Sequence, residues 1–259
     1  MRHFAMCTLV KKEYTTLKLI PSTRLDLIPP SHRYPAKSMR GLLPQSQLKT
    51  LSQRNKLNSQ IIELIEGFEK NPSAELVVIQ QVVRTLNLDL PLEYLDLFSF
   101  MNGGEGFIGD NYCRLYAIED LMPLNEAFLV KEFAPELLIF GSNGGGEAFA
   151  FNTSSSPFSI VAIPFIPMDI KWAKSLGKTI NEFFFHFSNS ADNRVKNIPP
   201  SINNTLIGKG IHEIQPVVFG GDPVDPKNKI PLSPKDYAKL VVFWNKIWQN
   251  RTHQEVITT

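Results

Sequence analysis

The sequence predicts an α+β protein, a largely antiparallel sheet flanked by helices, followed by a small ββα-like unit at the C-terminal end. Three observations predict it. Apolar residues recur at helical spacing from Leu57 to Phe98; the period then shortens to strand-like alternation; and neither βαβ alternation nor an internal repeat is visible.

The elements follow in order. Ile61, Ile62, Leu64, Ile65 and Phe68 give a first helix, and Leu76, Ile79, Val83 and Leu86 form one face of a second over roughly 74–87. Pro91 suits the first turn of a third, because its missing N–H is an orphan there anyway, and Leu92, Leu95 and Phe98 would form its buried stripe. Asn102-Gly103-Gly104 ends that helix by accepting positive φ. The runs CRLYAI, ELLIFGS, EAFAFNT and FSIVAIPFI read as strands. A last helix begins near Thr179, where Thr179-x-x-Glu182 has capping-box spacing ahead of Phe183, Phe184 and Phe187. The expected organisation is a basic arm at 1–56, a main domain at 57–190, a polar linker at 191–208 and a separate small unit at 209–259.

A chain of 259 residues with 43% apolar content can bury a full core. Cys7 and Cys113 are too few for a disulfide framework, no run reaches the length of a spanning helix, and the N-terminal stretch lacks the apolar segment of a secretory leader. The expectation is a cytoplasmic protein with no membrane partner. Residues 1–56 hold 11 Lys/Arg against 2 Asp/Glu, whereas residues 57–259 hold 16 against 23. The basic arm lacks helical or alternating periodicity and interleaved aromatics, so it reads as a solvated tail, or as an over-extended start with Met39 as one possible true start. Nucleic acid is therefore not the expected partner.

The stretch GSNGGGEAFAFNT, residues 141–153, raises the question of a phosphate cradle. A P-loop needs lysine and a hydroxyl after its second glycine, then a helix; here Gly146 is followed by Glu147 and Ala148 and by an alternating run. No nucleotide or other cofactor is expected. One alternative is a hairpin in which Asn143, Gly144, Gly145 and Gly146 accept positive φ; another is a bare backbone that lets a further segment approach closely, with Glu147 directed from the edge towards a partner.

Taken together, LPLEYLDLFSFMNGGEGFIG, CRLYAIEDLMPLNEAF, PELLIFGSNGGGEAFAFNT and TINEFFFHF resemble, in order and spacing, the SUKH superfamily over roughly residues 60–190. That superfamily includes fungal cell-wall-assembly regulators and bacterial immunity proteins. The resemblance implies an α+β domain that binds proteins and has no catalytic residues, and in bacterial members one that neutralises a toxin, often a nuclease, by occluding it. The family's marks fall on Pro91, Asn102, Gly103, Gly104, Asn125, Pro135, Gly141, Gly144, Gly145, Gly146 and Glu147. The candidate partner-binding or family-motif positions are Asn102, Gly103, Gly104, Glu105, Asn125, Asn143, Gly144, Gly145, Gly146 and Glu147, most of them architectural.

The segment IHEIQPVVFGGDPVDPKNKIPLSPKDYAKLV resembles a second pattern, the HNH nuclease motif, in His212, Ile214, Pro216, Gly220-Gly221, Asn228 and a helix from about Pro234. That chemistry needs one imidazole on a metal and another as general base. Here Glu213 stands where the second histidine belongs, and Tyr237 where the helix should carry a ligand. His212 alone remains as a plausible ligand, so no metal is expected, although Glu213 or Asp236 could serve a rewired site. The other reading makes His212 structural, Asn228 a loop holder and the helix with Trp244 and Trp248 a docking element. The five histidines are scattered without a Cys/His cluster, and no G-x-S-x-G elbow appears. No catalytic residue is assigned. The leading expectation is a non-catalytic protein that neutralises a toxin encoded by a neighbouring gene; a nuclease using the tail and a regulatory scaffold are the alternatives.

Overall fold

The computed structural model describes residues 57–189 and 210–257; the basic arm 1–56 and the linker 191–208 lie outside the described residues. Helix α1 (Ser59–Leu64) starts at Asn58, whose side chain accepts from Gln60 N at 3.0 Å. It is shorter than the apolar spacing suggests, yet Ile65 and Phe68 beyond its end are buried. Helix α2 (Leu76–Leu86) buries Ile79, Val83 and Leu86 and closes on left-handed Asn87. Leu76, expected in that stripe, is exposed because the first turn stands clear of the core. Helix α3 (Leu92–Phe100) buries Tyr94, Leu95, Leu97 and Phe98.

Seven antiparallel strands follow one another in chain order: β1 (Glu69–Lys70), β2 (Gly104–Ile108), β3 (Asn111–Leu115), β4 (Leu137–Ser142), β5 (Glu147–Asn152), β6 (Ser159–Pro164) and β7 (Lys174–Gly177). The expected hairpin-connected sheet is present. Strands β1, β2 and β7 have no sequence counterpart above: β1 is two residues long, and β2 reads GEGFI, whose glycines look like a turn. Two short helices, α4 (Leu121–Ala127) and α5 (Val130–Phe133), fill the passage from β3 to β4. Helix α6 (Ile180–Asn189) is capped as its sequence predicts: Thr179 Oγ1 accepts from Glu182 N at 3.1 Å, and the Glu182 carboxylate reaches back to Lys178 N at 2.8 Å.

Leu138, Phe140, Phe149, Phe151, Ile160 and Ala162 alternate along β4 to β6 onto one face, where they meet Phe183 and Phe184 of α6 and the apolar faces of α1 to α3. Tyr94 sits among Phe98, Phe140 and Phe151 with edge-on ring contacts of 4.7, 5.4 and 4.9 Å. The intervening residues Ile139, Ala148, Ala150, Val161 and Ile163 are equally buried, and all six residues of β4 are. The central strands are therefore covered on both faces.

Helices α4 and α5 pack on β4, and the C-terminal segment packs on α4 in turn. Strands β8 (Gly210–Glu213) and β9 (Lys229–Leu232) form a hairpin that pairs His212 with Ile230, and helix α7 (Pro234–Ile257) follows, completing a ββα order. Tyr237 of α7 packs edge-on against Phe165 at 5.2 Å and Phe128 at 6.1 Å. Buried Asn245 accepts from Met168 N at 2.7 Å and donates to Phe165 O at 2.8 Å. Among the described residues, no helix is long and apolar enough to cross a membrane.

Candidate functional site

The motif asparagines share one function, which is to hold the backbone of their own chain. Asn102 accepts from Ile118 N at 2.8 Å and donates to the Glu119 carboxylate at 2.7 Å, which ties the end of α3 to the passage after β3. Gly103 then turns with φ of 73°; a Cβ there would stand 2.7 Å from Leu115 O and Ala117 N, so both the conformation and the space require glycine.

Asn125 substitutes for a missing strand neighbour. Strand β3 pairs with β4 only at Arg114–Ser142 and Leu115–Gly141, and β4 is bulged between Ile139 and Gly141. The polar groups of fully buried Ile139 would be orphaned there. The Asn125 amide satisfies both, accepting from Ile139 N at 2.8 Å and donating to Ile139 O at 2.7 Å.

Asn143 organises the glycine-rich hairpin. Its Oδ1 accepts from Gly145 N at 2.8 Å and Glu147 N at 3.0 Å, and its Nδ2 donates to the Glu147 carboxylate at 3.1 Å. Of the four residues expected to take positive φ, only Gly144 (65°) and Gly146 (106°) do so; Asn143 and Gly145 do not. The side-chain clamp makes the turn at Asn143 and Gly145 in ordinary backbone. Glu147 is anchored, with only 15% of its side chain exposed, between Asn143 and Lys174 Nζ at 3.3 Å. It follows the alternation of Phe149 and so belongs to the helix-covered face.

Glu105 lies on the opposite face, directly across from Arg114 and paired with its guanidinium. Burial alone would raise the Glu105 carboxyl, but hydrogen bonds from Arg114 and Tyr112, with the Arg114 charge, outweigh it and hold the group below its usual range. The Tyr112 ring closes over Gly144, where a Cβ would stand 2.8 Å from Cδ1, and meets exposed Phe107 edge-on at 5.5 Å. The tip of the β2–β3 hairpin therefore touches the glycine loop. Tyr116, two residues beyond Arg114, hydrogen-bonds Ser142 and is pushed up to about 12 by burial.

The C-terminal segment adjoins this same face. The His212 imidazole lies flat on the Tyr237 ring, centroids 3.5 Å apart and planes 15° apart. Burial, reinforced by the positive charges of Arg114 and Lys229, pulls its pKa down to about 3. Glu213 is engaged by Lys229 at 3.4 Å. Asn228 holds the loop from both ends, accepting from Gln215 N at 2.8 Å and donating to Gln215 O at 2.9 Å and Asp222 O at 3.0 Å. Trp244 fixes the hairpin to α7 through Ile214 O at 3.1 Å. These residues do not fit a catalytic metal: the imidazole is stacked and flanked by two cations. Among the described residues, no group of three or more His, Cys, Asp or Glu is placed to hold an ion.

The candidate residues thus fall into separate places. Asn143, Gly144, Gly145, Gly146 and Glu147 share one hairpin; Asn102, Gly103 and Gly104 lie at the end of α3, with Asn125 by β4. Glu105 and His212 approach one neighbourhood through Arg114. Arg114, Tyr112, Tyr116 and Lys229 were not singled out from the sequence, although the alternation of NYCRLY places the first three on one side of a strand.

Comparison with known proteins agrees with this architecture. Residues 74–184 match the model of the SMI1 / KNR4 family (SUKH-1). No curated protein matches the chain.

Proposed function

Residues 74–184 are a SUKH-superfamily domain, and from that premise we propose that the chain is a non-catalytic immunity protein that occludes a nuclease-type toxin encoded by a neighbouring gene. The family match supports an immunity or regulatory protein-binding module; the toxin and the cytoplasmic setting belong to the proposal. One observation carries the reading. The polar residues that mark the family are spent on internal contacts, Asn102, Asn125 and Asn143 each on backbone of the same chain. Such a set maintains a rigid scaffold, and recognition then falls to the surface the scaffold presents.

The stacking of His212 on Tyr237 beside Arg114 and Lys229 supports a structural role for the C-terminal segment over the nuclease alternative. The negative balance of residues 57–259 suits a cationic partner, since complementary charge steers encounter and rejects wrong partners.

Co-expression with the product of the adjacent gene tests the proposal. The expected result is rescue of growth and co-purification of a stoichiometric complex. A toxic neighbour that this protein neither neutralises nor binds removes the immunity reading. A gene neighbourhood without any toxin favours the regulatory one.

A further inference from the structure

The charge of the SUKH domain is not evenly spread. Residues 57–136 hold 4 Lys/Arg against 14 Asp/Glu, whereas residues 137–189 hold 3 of each. In the acidic half, five large apolar side chains are left in solvent; Ile62 lies on α1 and Phe107 on β2, and the other three are Leu76 at 37%, Val77 at 62% and Phe100 at 40% exposure. These three belong to one place in the fold. The segment leading into α2 runs alongside the end of α3, with Asn71 N donating to Gly103 O at 3.3 Å, Asn102 N to Pro72 O at 3.3 Å and Ala74 N to Phe98 O at 2.9 Å. Phe100 lies two residues beyond Phe98 on one strand of this seam. Leu76 and Val77 follow Ala74 on the other and open the first turn of α2.

Carboxylates border the seam. Glu75 directly follows Ala74, and Glu119 is held to it by Asn102 Nδ2 at 2.7 Å, with Asp120 next along. The Asp120 carboxyl is raised by burial and, next, by the neighbouring charge of Glu119. Among the described residues, none of Glu75, Glu119 and Asp120 forms an ion pair.

We propose that Phe100, Leu76 and Val77, rimmed by Glu75, Glu119 and Asp120, form the docking surface for a basic amphipathic segment of a partner protein. Such a segment is an apolar stripe flanked by lysine or arginine. The apolar trio would supply the desolvated centre and the carboxylates the rim that selects sign and register. A second copy of this chain is a poorer occupant, because it would bring two acidic rims together. The assignment rests on reading the chain as a protein-binding module and names where, and for what chemistry, that module binds.

The test uses the full chain and a fluorescent helical peptide of leucine and lysine with one apolar stripe. Its controls are the same peptide with glutamate in place of lysine and a scrambled leucine–lysine peptide that lacks the stripe. The striped basic peptide should bind more tightly than either control. The double variant Val77→Ser with Phe100→Ser, whose side chains are exposed and whose fold is checked by circular dichroism, should weaken it roughly tenfold or more. Equal binding by wild type and double variant, or equal binding of the scrambled peptide, overturns the proposal. Concentration-dependent self-association in light scattering that the same substitutions abolish overturns it in favour of a second copy. If a toxin complex is obtained and survives the double substitution, the docking surface is wrong while the immunity role stands; the peptide measurement decides the surface whether or not a toxin is found.

Discussion

His212→Phe separates the structural account of the C-terminal segment from the catalytic one. Phenylalanine keeps a flat ring on Tyr237 but removes the titrating nitrogens. In the wild type the imidazole has a pKa of about 3 in the folded protein, because it is buried and because Arg114 and Lys229 oppose a further positive charge. In the unfolded chain it returns to about 6.5. Between these values the unfolded state binds the extra proton, so stability falls as pH is lowered, by about 1.4 kcal/mol per unit well inside the window. From pH 7 to pH 5 the loss amounts to about 2 kcal/mol, and it changes little for any folded value below about 4. Urea denaturation of wild type and variant at both pH values measures it. The variant should gain about 2 kcal/mol on the wild type as pH falls from 7 to 5, because other titrations cancel in the comparison. Equal pH dependence of the two proteins would show that the folded imidazole takes up a proton freely, and the buried, cation-flanked stack described above would be wrong.

Other substitutions probe the scaffold. Asn125→Ala leaves Ile139 N and O without partners in a buried setting and should cost about 2–4 kcal/mol in denaturant unfolding, while Asn125→Asp, which restores only the acceptor, should not recover it. Gly144→Val should lower the melting temperature, since φ is 65° and the new Cβ would meet Tyr112. Gly145→Ala should change stability by no more than about 0.5 kcal/mol, because its Cβ would meet only Asn143 at 3.6 Å or more; the reverse order would refute the assignment of strain in this loop. Asn245→Ala should destabilise by about 2–4 kcal/mol, measured by the same unfolding assay, by orphaning Phe165 O and Met168 N where α7 meets the segment after β6.

The elements with strong period were legible in the sequence: α2, α3 and α6, and strands β3 to β6, follow directly from apolar spacing and capping residues. Elements whose identity depends on a neighbour were not. GEGFI becomes β2 because it lies between β1 and β3, and nothing in its own pattern distinguishes it from a turn. The candidate residues show the same division. That Asn102 and the glycines beside it form a turn could be read locally. That Asn125 stands in for a strand partner of Ile139 could not, because the need arises only once β3 leaves β4 after two paired residues. Likewise Glu147 looked free to meet a partner, and only the fold brings Asn143 and Lys174 to its carboxylate.

The resemblance of the tail to an HNH nuclease motif divides along the same physical line. The matching positions that shape the backbone have a structural role: Gly221 leaves room for Gln215 O and Asn228 closes the loop. The positions where that motif would carry chemistry are occupied by packing contacts, with His212 and Tyr237 stacked and Glu213 paired to Lys229. The division follows from what the sheet requires. A strand such as β4, buried at six consecutive residues, needs cover on its second face; α4 and α5 pack on it, and α7 packs in turn on α4, burying Tyr237, Val241, Trp244 and Asn245. A helix committed to that contact cannot also present an open metal position at Tyr237, because the same ring would have to face Phe128 and Phe165 while a ligand took its place. The C-terminal segment therefore packs through Tyr237 and Asn245 on Phe128, Phe165 and Met168, beside the sheet that carries the glycine hairpin and the Glu105–Arg114 pair.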